Sequence, residues 1–89
     1  MPLQQKTKQE IIKEFQVEEG DTGSPEVQIG LLSHRIAALV EHLKQHAHDL
    51  HSRRGLLSML AKRRRLIFFL EKVDKKRSQD ITKRVGLKN

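Results

Sequence analysis

The sequence predicts an all-α fold: a four-helix protein forming one domain, its three longer helices packed together, with a mobile N-terminal helix and a short C-terminal helix. Three observations predict it. Leu, Lys, Arg, Glu and Gln, all good helix formers, dominate the chain. The Val, Ile, Thr and aromatic alternation of strands is absent. Helix-start residues also stand directly before the apolar-periodic runs. At 89 residues a single core is thin, so stability must come from a few well-packed helices or from a partner.

The first helix is expected over about Gln5–Phe15, with Ile11, Ile12 and Phe15 forming a short apolar side. Gly20-Asp21-Thr22-Gly23 breaks it. Ser24 is a good N-cap for the second helix, Pro25 suits its first position, and Glu26 favours the positive end of the dipole. That helix should run to about Lys44. The pattern falters over His46–Asp49, and Asp49 is placed to cap a long third helix ending near Val73. Gly55 lies inside it, where close approach of another backbone is one reason for a glycine. Asp74 or Ser78 caps the short fourth helix, which Gly86 closes. The first helix has few apolar anchors and a Gly-containing tether, so it should move in the free protein.

Faces follow from a turn of about 100° per residue. In the second helix Ile29, Leu32, Ile36, Leu39, Val40 and Leu43 form one apolar stripe, the core side. Gln28, Arg35 and His42 recur every seven residues beside it, a row roughly 21 Å long. Such a row could follow an RNA groove, and its spacing equally fits an ordinary polar flank. In the third helix Leu56, Met59, Leu60, Leu66, Ile67, Leu70 and Val73 share the core side. Arg54, Arg65 and Lys72 lie nearly opposite with Phe69 close by, an arrangement suited to a ring on a sugar or base and cations on phosphates. Arg63 falls inside the apolar stripe and must either snorkel outward or find a partner.

Charge narrows the function. The chain carries 18 Lys/Arg against 11 Asp/Glu, net +7. Residues 1–45 hold five against seven, net −2, and residues 46–89 thirteen against four, net +9. Positive potential concentrated in one half points to an anionic partner, nucleic acid first. Three Phe with no Tyr or Trp are too few rings for a binder of single strands, which favours folded RNA or a duplex. Five His include His42 and His46 one turn apart, but no Cys assists and no second pair faces them, so no metal and no cofactor is expected. There is no phosphate loop, thiol nucleophile or paired carboxylate, so no enzyme is expected. The start Met1-Pro2-Leu3-Gln4-Gln5-Lys6 lacks a signal peptide's apolar run, and no segment reaches the roughly 20 apolar residues of a membrane span. A soluble protein is therefore expected, cytoplasmic or, alternatively, of an organelle; it is also expected to be monomeric when free. A helical DNA-binding protein and a protein–protein module remain the rivals: the first predicts similar affinity for any duplex, the second an apolar groove.

Two stretches carry a resemblance. Asp21-Thr22-Gly23-Ser24-Pro25-Glu26-Val27-Gln28 is one; His48-Asp49-Leu50-His51-Ser52-Arg53-Arg54-Gly55-Leu56-Leu57, followed by Arg63-Arg64-Arg65-Leu66, is the other. Both resemble the signature of the small-subunit ribosomal protein fifteen family, and the likeness runs to Val85-Gly86-Leu87-Lys88. The resemblance implies a protein that binds the central domain of small-subunit ribosomal RNA early in assembly, at a three-helix junction and a nearby G-U/G-C element. It implies neighbouring small-subunit proteins as partners, and a bridge to large-subunit RNA. Carried over, Thr22, Gly23, Gln28 and Arg35 would sit at the junction with Arg65, Phe69 and Lys72 in support, while His42, Asp49 and Ser52 would read the G-U/G-C element through the shallow minor groove. The sequence departs from the family at Phe69, usually Tyr, which loses a phenol hydrogen bond. Leu50 and Ala47 replace a common His and Lys.

Overall fold

The computed structural model describes residues 7–86 and contains four helices: α1 (Lys8–Phe15), α2 (Pro25–Gln45), α3 (Leu50–Val73) and α4 (Lys75–Arg84). Two are long, with 21 and 24 residues, and two are short, so the expected set of three longer helices is corrected to one long pair flanked by two short helices. Gln5 and Lys6 of the expected first helix lie outside the described residues. Thr7 caps α1 through a reciprocal box: its hydroxyl accepts from the Glu10 N–H at 3.2 Å while Glu10 accepts from the Thr7 N–H.

Ser24 and Asp49 cap α2 and α3 as their sequence context requires. Asp74 closes α3 and opens α4, accepting from the Arg77 N–H at 3.2 Å. Ser78, the alternative cap, instead lies buried inside α4 and donates to the Ile67 carbonyl. Gly86 follows α4 at φ +78, the left-handed region that suits glycine at a helix end.

The loop between Gln45 and Leu50 is too short for anything but reversal, so α2 and α3 form an antiparallel hairpin. Beyond that shared seam the two ends of the hairpin differ. At the end where α2 begins and α3 finishes, α1 and α4 close over it, and Ile11, Ile12, Phe15, Val27, Ile29, Leu70 and Ile81 form the buried core. Val27 is fully buried although it lies opposite the apolar stripe of α2, because α1 and α4 cover the other side of that first turn. Gly30 permits the approach: the Phe15 ring rests where its Cβ would stand. Glu26, read from the sequence as a dipole-facing acid, is buried and paired with Arg77 of α4 at 2.6 and 2.7 Å. Arg84 donates to the Glu14 carbonyl at 2.6 Å and stacks 4.6 Å over Phe15, tying α4 to α1.

The other end is a two-helix arm. From Ala37 to Phe69 no residue is fully buried; Leu39, Leu43, Leu56, Met59 and Leu60 are half-buried in the seam. Two core expectations fail. Val40 is 39% exposed because only α3 covers that part of α2 and Val40 sits at the stripe's edge. Val73 is 60% exposed because it ends α3, and the chain turns away at Asp74. Gly55 meets no backbone; a Cβ there would touch Leu39 at an ordinary 3.8 Å. Arg63 settles its position by pairing, donating to the Ser33 hydroxyl across the seam at 3.1 Å, and its partial burial lowers its pKa.

Candidate nucleic-acid interface

The seam between α2 and α3 carries a groove near its packed end, about 460 Å³ in volume. Lys8, Gln28, Leu31, Leu32, Arg35, Lys62, Arg65 and Leu66 line it. A shallower hollow continues along the arm, lined by Arg35, Ala38, Leu39, His42, Ser52 and Met59. The seven-residue row of α2 therefore borders both, Gln28 at one end, His42 at the other and Arg35 shared. Such a row lies along a helix edge because seven residues make nearly two whole turns.

At the tip of the arm, three residues from three chain segments form one network. Asp49 precedes the first turn of α3, so its carboxylate accepts from the Ser52 N–H at 3.0 Å and from the Ser52 hydroxyl at 2.6 Å. His42, one turn from the end of α2, meets the same carboxylate through Nε2 at 2.9 Å. The Ser52 hydroxyl, then His42, then the Ser52 N–H hold this carboxyl well below the usual carboxylate range. Asp49 is thus a fixed anion. A carboxylate has about four lone-pair sites, and three are used, so one is left for an outside donor. His46 stacks on His42 with ring centroids 4.8 Å apart, which holds the imidazole in place.

The loop before α2 is equally organised. Asp21 accepts from the N–H groups of Val17 at 3.0 Å, Gly23 at 3.1 Å and Ser24 at 2.9 Å. Val17 first, then the Ser24 side chain, hold its carboxyl down at about 2. Gln28 donates through Nε2 to the Gly23 carbonyl at 2.9 Å, which fixes the loop to α2 and leaves the amide oxygen as a free-facing acceptor. Thr22 and Gly23 are exposed on this loop.

Of the residues expected to bind, Gln28, Arg35 and Arg65 come together in the groove, and His42, Asp49 and Ser52 at the arm tip. Arg54, Phe69 and Lys72 are exposed on α3, with Phe69 56% exposed, and line neither hollow. Lys72 packs its cation on the neighbouring ring, with Nζ 4.7 Å from the Phe68 ring centroid. Lys8 and Lys62 in the groove were missed. Lys62 stands one turn before Leu66 and Lys8 one turn before Ile11 and Ile12, a spacing that could have flagged them. Among the described residues no group of three His, Asp or Glu could hold a metal ion, and no helix is long and apolar enough to cross a membrane.

Comparison with known proteins gives a consistent family. The model of the family described as Ribosomal protein S15 matches residues 8–88. The chain is similar to the small ribosomal subunit protein uS15 of Micrococcus luteus, 52% identical over 88 residues, 99% of each chain. It is 53% identical to that of Streptomyces griseus, over 99% of this chain and 92% of the relative. It is 49% identical to that of Chloroflexus aurantiacus over 99% of both.

Proposed function

The chain belongs to the ribosomal protein S15 family, structural constituents of the small ribosomal subunit and not enzymes, and from that premise we propose that it is a primary binder of folded ribosomal RNA. Its target is a three-way junction in the central domain of small-subunit RNA together with a nearby G-U/G-C element. By favouring the folded junction it organises assembly, and in the finished ribosome it contributes to a bridge with large-subunit RNA. Its place of work is the ribosome, in the cytoplasm.

The observation that carries this reading is that one α2–α3 seam presents both candidate sites on the same edge, the Gln28–Arg35–Arg65 groove and the His42–Asp49–Ser52 network. An A-form minor groove offers 2′-hydroxyls and the guanine amino group. The free lone pair of Asp49 suits that amine. The Ser52 oxygen, its proton committed to Asp49, suits a 2′-hydroxyl donor. Basic side chains then fix register on phosphates, and Arg54, Phe69, Lys72, Thr22 and Gly23 widen the contact.

The test is binding to a minimal three-way RNA junction with Mg²⁺, beside an RNA duplex and a DNA duplex, across a salt series. Ser52→Ala is the cleaner variant, because Asp49→Ala also removes the cap of α3. Tight binding to the junction alone, weakened in Ser52→Ala, is expected. Equal affinity for all three with one steep salt slope would reduce the chain to a non-specific cation.

A further inference from the structure

The groove at the packed end of the seam has a floor unlike its rim. Leu31, Leu32 and Leu66 form the floor; Lys8, Arg35, Lys62 and Arg65 surround it. Duplex backbone passing overhead would use the four cations and leave the leucines without a partner. A nucleotide turned out of its stack presents both surfaces at once, a flat apolar base face and a flanking phosphate at each end. The volume, about 460 Å³, lies in the range of small-ligand sites, about 300–1,000 Å³. Gln28 keeps its amide oxygen available at the edge because its nitrogen is bound to Gly23, so the groove also holds an oriented acceptor for an exocyclic amine.

We propose that this groove seats one unstacked nucleotide of the bound RNA, its base on Leu31, Leu32 and Leu66 and its flanking phosphates on Lys8 and Lys62. The inference rests on the RNA-binding reading above and extends it by a ligand class and two residues. Scarcity of aromatic rings does not oppose it: one base needs one apolar platform, and a whole strand would need several. Lys8 enters from α1, so the site is complete only while α1 is docked. Nucleotide seating and α1 docking therefore support each other, since a ligand that binds one state stabilises it.

The experiment uses the full chain with ¹³C-methyl leucine, free and saturated with the three-way RNA junction in Mg²⁺, with a plain RNA duplex as comparison. A base on the floor shifts the methyls of Leu31, Leu32 and Leu66 upfield through its ring current in the junction complex and leaves them unmoved with the duplex. Lys62→Gln, an exposed position whose loss leaves the melting temperature unchanged, weakens junction binding about tenfold near 0.1 M salt and makes the salt slope shallower by about one. Tight junction binding with unmoved leucine methyls would overturn the seating and leave the RNA reading standing. Identical shifts with the duplex would assign the groove to paired backbone and overturn it as well. Failure of the junction to bind at all would overturn both.

Discussion

Gly30→Ala places a methyl where the Phe15 ring now lies, 2.6 Å from Cγ and 2.7 Å from Cε2. Both are closer than carbon atoms tolerate, and the obstacle is the body of a buried ring, so something must move. Two terms oppose each other. Alanine gains about 1 kcal/mol over glycine inside a helix. Overpacking a filled site costs about 1–3 kcal/mol. The strain has an outlet, because Phe15 belongs to an eight-residue helix held by few buried side chains, whereas α2 and α3 are long and mutually packed. The cost should therefore fall on α1, weakening its docking by about 1–2 kcal/mol, or roughly 5–30-fold in its open population. Amide exchange reads this directly: Ile11 and Gln16, whose N–H groups bond to Thr7 and Ile12, should exchange faster by that factor. Amides around Leu70 should keep their protection. Phe15→Leu added to Gly30→Ala should restore part of the loss, since the two positions touch. Unchanged protection at Ile11 and Gln16 together with a raised melting temperature would refute the reasoning, by showing that Phe15 slides aside at no cost.

Two further outcomes test the supports of the site. Glu26→Ala removes a buried carboxylate and strands Arg77; the loss should be about 2 kcal/mol, below the roughly 3–5 of a fully enclosed pair because Arg77 is 37% exposed, and the urea midpoint should fall at constant slope. Asp21 is bound by three N–H groups, so its carboxyl should titrate near 2 by ¹³C NMR, against 3.8 for a free one. Because the folded value is the lower, its contribution to stability is present above about pH 4 and is lost as pH falls toward 2; a midpoint near 3.8, or an Asp21→Asn variant with unchanged acid sensitivity, would contradict that.

What could be read in the sequence was what depends on neighbours along the chain. Ser24-Pro25-Glu26 and Asp49 place the starts of α2 and α3 correctly because a cap acts within three residues, and α2 ends at Gln45, one residue past the expected Lys44. The Gln28–Arg35–His42 row was legible because seven residues repeat on any helix. Periodicity does not say how far a partner extends, which is why Val40 and Val73 were assigned to the core. Nor can it show a side covered by a third element: Val27 and Glu26 are buried by helices whose residues lie far away in sequence, Glu26 bonding Arg77 51 residues on. The same limit hid the reason for Gly30, which lies in Phe15, and the groove positions of Lys8 and Lys62, which need three helices to coexist.

The two ends of the hairpin stand in different energetic positions, and that difference bears on the proposed hold on RNA. At the packed end, α1 and α4 cover what two helices cannot, so the loop bearing Thr22 and Gly23 and the groove rest on side chains that are fully buried. Along the arm two helices have only each other, and a pair cannot enclose a residue from all sides; its seam stays half-buried. The arm tip is instead fixed by polar contacts, with Asp49 capping α3, joining Ser52 and reaching back to His42. An arrangement of that kind keeps its geometry only while the carboxylate is ionised and every donor is in place. It also leaves the seam with apolar surface that a bound groove wall could cover. Between Ser52 and Arg65 α3 advances thirteen residues, about 20 Å of unbroken helix, so the two candidate sites are held at a set separation by the stiffness of one element. On the proposed reading, RNA that presents both features at that spacing would cover the weak seam and meet the preset donors. RNA that presents only one would be left with the charge, which salt screens.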